Sequence, residues 1–207
     1  VDDRVFLLSP AHTGGKRCRM LLDGRGEFEL AERLRAGSAP LGDLMSFLSA
    51  LYFRGKLAYA QRFTTRGVWV ITPDRGLLPP ETPITRGDLQ RFADVPIDAA
   101  ERRYTTPLRD SALALRAALP DAADVVLLGS IATSKYADVL LDTFGRTLLF
   151  PSAFVGRGDM SRGGLLLRAA RSGVELEYLP LAGATRRGPR AAPIGRAREA
   201  ARRSPAR

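Results

Sequence analysis

Between Phe154 and Arg168 the chain reads FVGRGDMSRGGLLLR, four glycines, three arginines and one aspartate running directly into leucines. Residues of these types suit the gripping of an anion. Glycines let backbone N–H groups come close to a ligand, and the N-terminus of the following helix adds positive dipole character. Arg157 and Arg162 could then clamp oxyanions in a two-pronged way, with Gly158 and Ser161 inside the same element. Asp159 has two readings, a helix cap that accepts backbone N–H bonds or a general base. The stretch is neither a Walker loop, for it lacks the Gly-Lys-Ser/Thr ending, nor the dinucleotide Gly-x-Gly-x-x-Gly pattern.

Other segments carry hydroxyls and cations in comparable settings: SPAHTGGKR from Ser9, TPDRGLLPP from Thr72 and GSIATSKY from Gly129. His12 is the only imidazole, read either as a surface or capping residue or as a catalytic one. Ser9, His12 and Asp159 are therefore the candidates for catalysis. The helical stretch LYFRGKLAYA offers Tyr52, Arg54, Lys56 and Tyr59. It is either a packed helix with exposed cations or a face that lines the same pocket, its rings available for base stacking. No Ser-His-Asp order, nucleophile elbow or paired-carboxylate signature is present. The lone Cys18 and lone His12 give no metal-ligand spacing, so neither a metal nor another cofactor is expected.

These residues need a frame to bring them together. Arg4–Ser9, Gly67–Thr72, Asp124–Ser130 and Arg146–Ser152 are nearly continuous apolar runs, as for strands buried on both faces; Val174–Leu181 is a fifth. Helical patterns lie between them. FELAERLRAG closes on Gly37, LGDLMSFLSALYFRGKLAYAQRF has Gly55 as a potential break, and TPLRDSALALRAALP has Thr106 as N-cap with Pro107 at the first helical position. SKYADVLLDTFG and SRGGLLLRAARSG both end on glycine. The proline-rich segment from Asp74 to Arg103 reads as an excursion with one short helix near GDLQRFAD.

Strands alternating with helices predict a single α/β domain over residues 1–182, an open, mainly parallel five-stranded sheet flanked by helices. Ligands of such sheets bind beyond the carboxyl ends of the strands. Gathered there, Ser9, His12, Lys16, Arg75, Ser130, Lys135, Arg157 and Arg162 would make a positively charged pocket, with Tyr136 supplying a phenol beside Lys135.

The net charge of +10 on 207 residues is unevenly spread: residues 183–207, with eight arginines and one glutamate, carry +7 and leave +3 for the rest. That tail has no aromatic residue and reads as disordered. It would either bind phosphate backbones through counterion release or serve as a solubilising extension. The composition, 45% hydrophobic and 26% charged, is that of a soluble globular protein, with no run long enough to span a bilayer. The opening VDDRVFLLSP lacks the basic leader of a signal peptide, which predicts a cytoplasmic protein with no membrane partner.

Four of these segments, in order, resemble the YaaA family. LLSPAHT (Leu7 to Thr13) is similar to its Leu-Ser-Pro-Ala-Lys-Thr signature, and GRGDMSRGGLLLR to its Arg-Gly-x-Met-Ser-Arg element. ITPDRGLLPPETPI matches a Ser-x-x-Tyr-Gly-x-Leu-x-Pro segment more loosely, and VLLGSIATSKYADVL a strand followed by a tyrosine-bearing helix. LYFRGK resembles a Leu-Tyr-x-Gly helix of related domains that accompany base-modification systems. The resemblance implies DNA or nucleotide binding in a stress or DNA-damage response, carried by Ser9, Pro10, Arg157, Gly158, Met160, Ser161 and Arg162. His12 stands where the family has lysine. The alternative is an enzyme on a nucleoside or phosphorylated small molecule, of N-glycosidase or base-transferase type.

Overall fold

The computed structural model describes residues 3–24, 26–132, 134–186 and 188. In chain order its elements are β1 (Arg4–Leu8), α1 (Lys16–Leu22), α2 (Glu29–Ala36), β2 (Ser38–Pro40), α3 (Leu41–Ser49), α4 (Leu51–Phe63), β3 (Val68–Ile71), β4 (Leu77–Leu78), β5 (Pro83–Thr85), α5 (Arg86–Asp94), α6 (Arg102–Ala118), β6 (Asp124–Leu128), α7 (Ser134–Phe144), β7 (Leu148–Pro151), α8 (Asp159–Ser172) and β8 (Tyr178–Pro180).

A six-stranded sheet in the order β4-β3-β1-β6-β7-β8 forms the centre, and β2 pairs with β5 in a separate two-stranded ribbon. The inner strands β3, β1, β6 and β7 run parallel, and the edge strands β4 and β8 are antiparallel to their neighbours. The five-strand expectation thus becomes six, because Leu77–Leu78 folds back onto β3 as a short hairpin arm. The fifth apolar run contributes only Tyr178–Pro180 to the sheet.

Strand side chains alternate between faces. Phe6, Leu8, Val68, Val70, Val126 and Leu128 meet α2–α5 and α8 on one face, while Val5, Leu7, Ile71, Val125 and Leu127 meet α6 and α7 on the other. Both faces are covered, so continuous apolar strands are what the fold requires. At the amino edge, Arg4 ties Asp124 at 3.1 Å and Glu175 at 2.6 Å, and Arg66 holds Asp3 at 2.7 Å.

Helix boundaries depart from the sequence reading in three places. The long pattern from Leu41 to Phe63 breaks at Ala50, whose φ of 50° turns the chain between α3 and α4. Gly55 lies inside α4. There a Cβ would fall 2.7 Å from the Gly163 carbonyl oxygen, so α4 and α8 cross backbone to backbone. Helix α6 starts five residues before Pro107, capped by the Glu101 carboxylate accepting from the Arg103 N–H, so Thr106 is not its N-cap. Helix α1 and the β2–β5 ribbon are additions to the reading, whereas α2, α5, α7 and α8 follow it. α5 carries a Thr85–Asp88 capping box, and α8 ends on Gly173 in the left-handed region.

Of the tail expected from residue 183 onward, residues 183–186 lie against the domain. Arg186 pairs with Asp138 at 2.6 Å and Ala184 packs on the core. Apart from Gly188, the rest of that segment lies outside the described residues. Among the described residues no helix is long and apolar enough to cross a membrane.

Candidate functional site

Strands β1 and β6 pair in register, Leu8 beside Leu128, so Ser9 and Gly129 leave the sheet side by side. The chain after β1 proceeds to β3 on one flank, whereas the chain after β6 proceeds to β7 on the other. The two strands therefore flank a topological switch point, the crevice where open α/β sheets hold ligands. A cleft of about 810 Å³ opens there, walled by residues 9–14, the end of α3, residues 93–98 and the first turns of α7 and α8.

The floor is built by close approaches. A Cβ on residue 129 would lie 2.9 Å from both the Ser9 Cβ and the Tyr136 hydroxyl, so glycine alone lets these groups converge. The Ser130 N–H donates to the Tyr136 hydroxyl at 2.8 Å. Burial pushes the Tyr136 phenol up, while hydrogen bonds from Ser9 and the Ser130 amide pull it back. Thr13 pins the outer turn of the β1 loop by donating to the Phe92 carbonyl at 2.7 Å.

Beneath Ser9 lies Lys56, 1% exposed. Its Nζ donates to the Ser9 carbonyl oxygen at 2.5 Å and sits 2.9 Å from Ser9 Oγ. The rings of Tyr52 and Phe53 flank it, their centroids 4.5 and 4.9 Å away. Burial lowers this amine from 10.5 to about 7; the Asp159 carboxylate opposes the drop and Arg162 adds to it. Tyr52 lines the cleft, and its hydroxyl is buried, with the Arg162 guanidinium nearby and no acceptor for its proton among the described residues. Its phenol is pushed up by burial, an effect that the nearby Arg162 guanidinium partly offsets.

The residues singled out in the sequence divide. Ser9, His12, Tyr52, Ser130, Lys135, Tyr136 and Asp159 line the cleft, with Lys56 under its floor. Arg54 and Lys16 are exposed outside it, and Arg75 pairs with Asp88 at 3.6 Å. The arginine clamp needs correcting. Arg162 is buried and turned inward, donating through Nε and a terminal nitrogen to the Phe154 carbonyl at 3.2 and 3.1 Å and lying over the Phe154 ring. Arg157 donates to the Ala153 carbonyl at 2.9 Å and reaches Ser161 Oγ at 3.4 Å; neither of these residues lines the cleft. Gly158 is the N-cap of α8 and no side chain caps it, so Asp159 and Ser161 are not caps. A guanidinium in a glycine-rich loop serves a phosphate or its own carbonyls equally well, and here it serves the carbonyls.

Sequence reasoning missed residues 93–98 as a cleft wall, Gly129 as the point of convergence and the Lys56–Ser9 contact. A glycine directly after an apolar strand was a usable signal for the second. The third joins residues 47 positions apart and left none.

No family model, curated protein or solved structure matches the chain.

What the geometry can do follows from its groups. Cys18 is buried and its thiol is pushed up to about 11, which removes it as a nucleophile. Asp159 lies at the rim with its side chain 69% exposed. A second hollow of about 330 Å³ beside the start of β3 has Arg66 and Glu81 as its charged groups, and Arg66 is already held by Asp3. Among the described residues, no group of three His, Cys, Asp or Glu side chains is placed to hold a metal.

Arg162→Ala should cost stability. It removes both guanidinium hydrogen bonds from the buried Phe154 carbonyl, which keeps only the Arg157 backbone N–H at 3.2 Å, a loss of about 1–3 kcal/mol. Urea denaturation measures it, and an unchanged midpoint would show that the guanidinium is dispensable to folding.

Proposed function

We propose that the cleft at the β1/β6 switch point takes a nucleotide- or nucleoside-class small ligand, and that the chain is an enzyme acting on it. The observation that carries this reading is the make-up of the cleft. A concave site of about 810 Å³ has the exposed Lys135 and His12 in its lining together with Ser9, Ser130, Tyr52 and Tyr136. That volume lies within the range usual for small-molecule sites, with a few convergent polar groups. The Lys135 ammonium suits a phosphate, and the tyrosine rings and serine hydroxyls suit a base and a sugar. The YaaA-like segments support the same ligand class, since LLSPAHT and VLLGSIATSKY contribute its walls.

Binding of a DNA duplex, as part of a stress or damage response, is the second reading. It draws on the arginine-rich tail, most of which lies outside the described residues. Within the domain, Arg75, Arg157 and Arg162 are engaged with protein groups, which favours the smaller ligand.

Titration calorimetry with mononucleotides, nucleosides and short oligonucleotides separates the two. A mononucleotide should bind, and Lys135→Ala should weaken it by about 1.5–3 kcal/mol, the value of one charge-assisted contact. The uncharged nucleoside should be little affected. Binding of oligonucleotides alone, insensitive to Lys135, would sink this reading in favour of the nucleic-acid one.

A further inference from the structure

We propose that Ser9 is a nucleophile activated by Lys56, and that the cleft carries out acyl transfer or hydrolysis on an ester, thioester or similarly activated carbonyl compound. The proposal rests on the cleft being a ligand site but not on the ligand being a nucleotide.

Three features of the geometry carry it. First, Ser9 lines the cleft and Lys56 lies directly beneath it, its amine 2.9 Å from Ser9 Oγ. Second, Lys56 forms no ion pair among the described residues; its hydrogen-bond partners there are Ser9 Oγ and the Ser9 carbonyl. The amine donates to both Ser9 oxygens; once it loses a proton, the bond to the carbonyl keeps it in place and its lone pair can turn to Oγ, 2.9 Å away, and accept that proton. Third, Tyr52, a lining residue one helical turn before Lys56, has a buried hydroxyl whose proton finds no acceptor among the described residues. A developing oxyanion is the partner such a donor lacks.

Other groups bear on the amine. Asp159 and Arg162 reach it from α8, Tyr52 from its own helix, and Tyr136 from α7 through Ser9. The two α8 charges act in opposite directions, and desolvation outweighs both. The amine is therefore largely neutral just above pH 7, the state a general base must have.

The step balances with water as the only co-reactant. Lys56 takes the Ser9 proton while Oγ bonds to the carbonyl carbon, and the bond to the leaving group breaks as Lys56 returns that proton to it. Water, deprotonated by Lys56, then attacks the acyl-serine, releasing the acid and restoring the Ser9 hydroxyl.

An aryl fluorophosphonate tests this directly, since the same activated Oγ would displace fluoride from phosphorus. Peptide mass spectrometry should place the adduct on Ser9, and Ser9→Ala should abolish it. The labelling rate should rise with pH through a midpoint near that of the amine, and Lys56→Met should lower it by about 100-fold or more. Circular dichroism checks that the variants fold. If Lys56→Met does not, the wild-type pH profile decides: a rise through neutrality supports the dyad, and a flat profile overturns it. Absence of a Ser9 adduct on the folded wild type, or equal rates with and without Lys56, also overturns it. Protection of Ser9 by a mononucleotide would support both readings. Labelling that no nucleotide slows would support the dyad and count against nucleotide binding in this cleft.

Discussion

Replacing Lys56 by methionine should give a more stable protein, with the largest gain below neutral pH. The folded amine titrates near 7, against an ordinary value of 10.5. Below pH 7 it is protonated in both states, and folding bears the full cost of burying the charge. Between 7 and 10.5 the unfolded chain holds a proton that the folded one has released, so stability rises with pH and the cost disappears by the upper limit. The shift corresponds to roughly 4–5 kcal/mol as a ceiling. Methionine forfeits the bond to the Ser9 carbonyl, which returns about 1–3 kcal/mol of that. A net gain of about 1–3 kcal/mol near pH 6, shrinking to nothing or reversing by pH 10, is the expected outcome. Urea denaturation at both pH values measures it. A loss of stability of the same size at each would mean that Lys56 is a structural tie. A residue that costs stability yet sits beside a cleft hydroxyl points to a function.

The second large effect is expected at Gly55. In Gly55→Ala the added methyl would lie 2.7 Å from the Gly163 carbonyl oxygen and 3.1 Å from the Gly163 Cα. Both are backbone atoms, so no rotamer change relieves the clash, and α4 must move away from α8. Overpacking of this kind costs about 1–3 kcal/mol, even though alanine is the better helix former by about 1 kcal/mol. Lys56 follows Gly55 directly, so the displacement also draws its amine from Ser9. Gly164→Ala is the control: its nearest contact is the end of Arg168 at 3.5 Å, and it should be neutral or slightly stabilising. Equal denaturation midpoints for the two variants would show that the crossing has slack.

The pattern Val5, Phe6, Leu7, Leu8 announces a strand buried on both faces, and the structure places that strand at the sheet centre. From this and its counterpart Val125 to Leu128 the carboxyl edge could be located, and with it the neighbourhood of Ser9, Ser130, Lys135 and Tyr136. The direction of side chains within loops could not be read in the same way. Arg162 has the composition of an anion clamp around it, yet its orientation depends on where Phe154 presents a carbonyl, a tertiary fact. The turn at Ala50 was hidden because alanine rarely adopts a positive φ, whereas Gly55 nearby invited the break. Lys56 reads in sequence either as an exposed cation or as part of a pocket-lining face, and its place beneath Ser9, 1% exposed, is neither.

Because α4 and α8 touch through Gly55 and Gly163 with no side chain between them, the thickness of two polypeptide backbones acts as a ruler for the depth of the cleft. Apolar residues elsewhere in the core can drift in size and be absorbed by neighbours, leaving that ruler unchanged. The spacing between the amine and the Ser9 hydroxyl is thereby insulated from ordinary sequence divergence. Relatives too distant for overall similarity to reveal would then be recognisable by a sparse signature: a serine at the end of the first strand, Gly-Lys on a mid-chain helix and a glycine early in the last one.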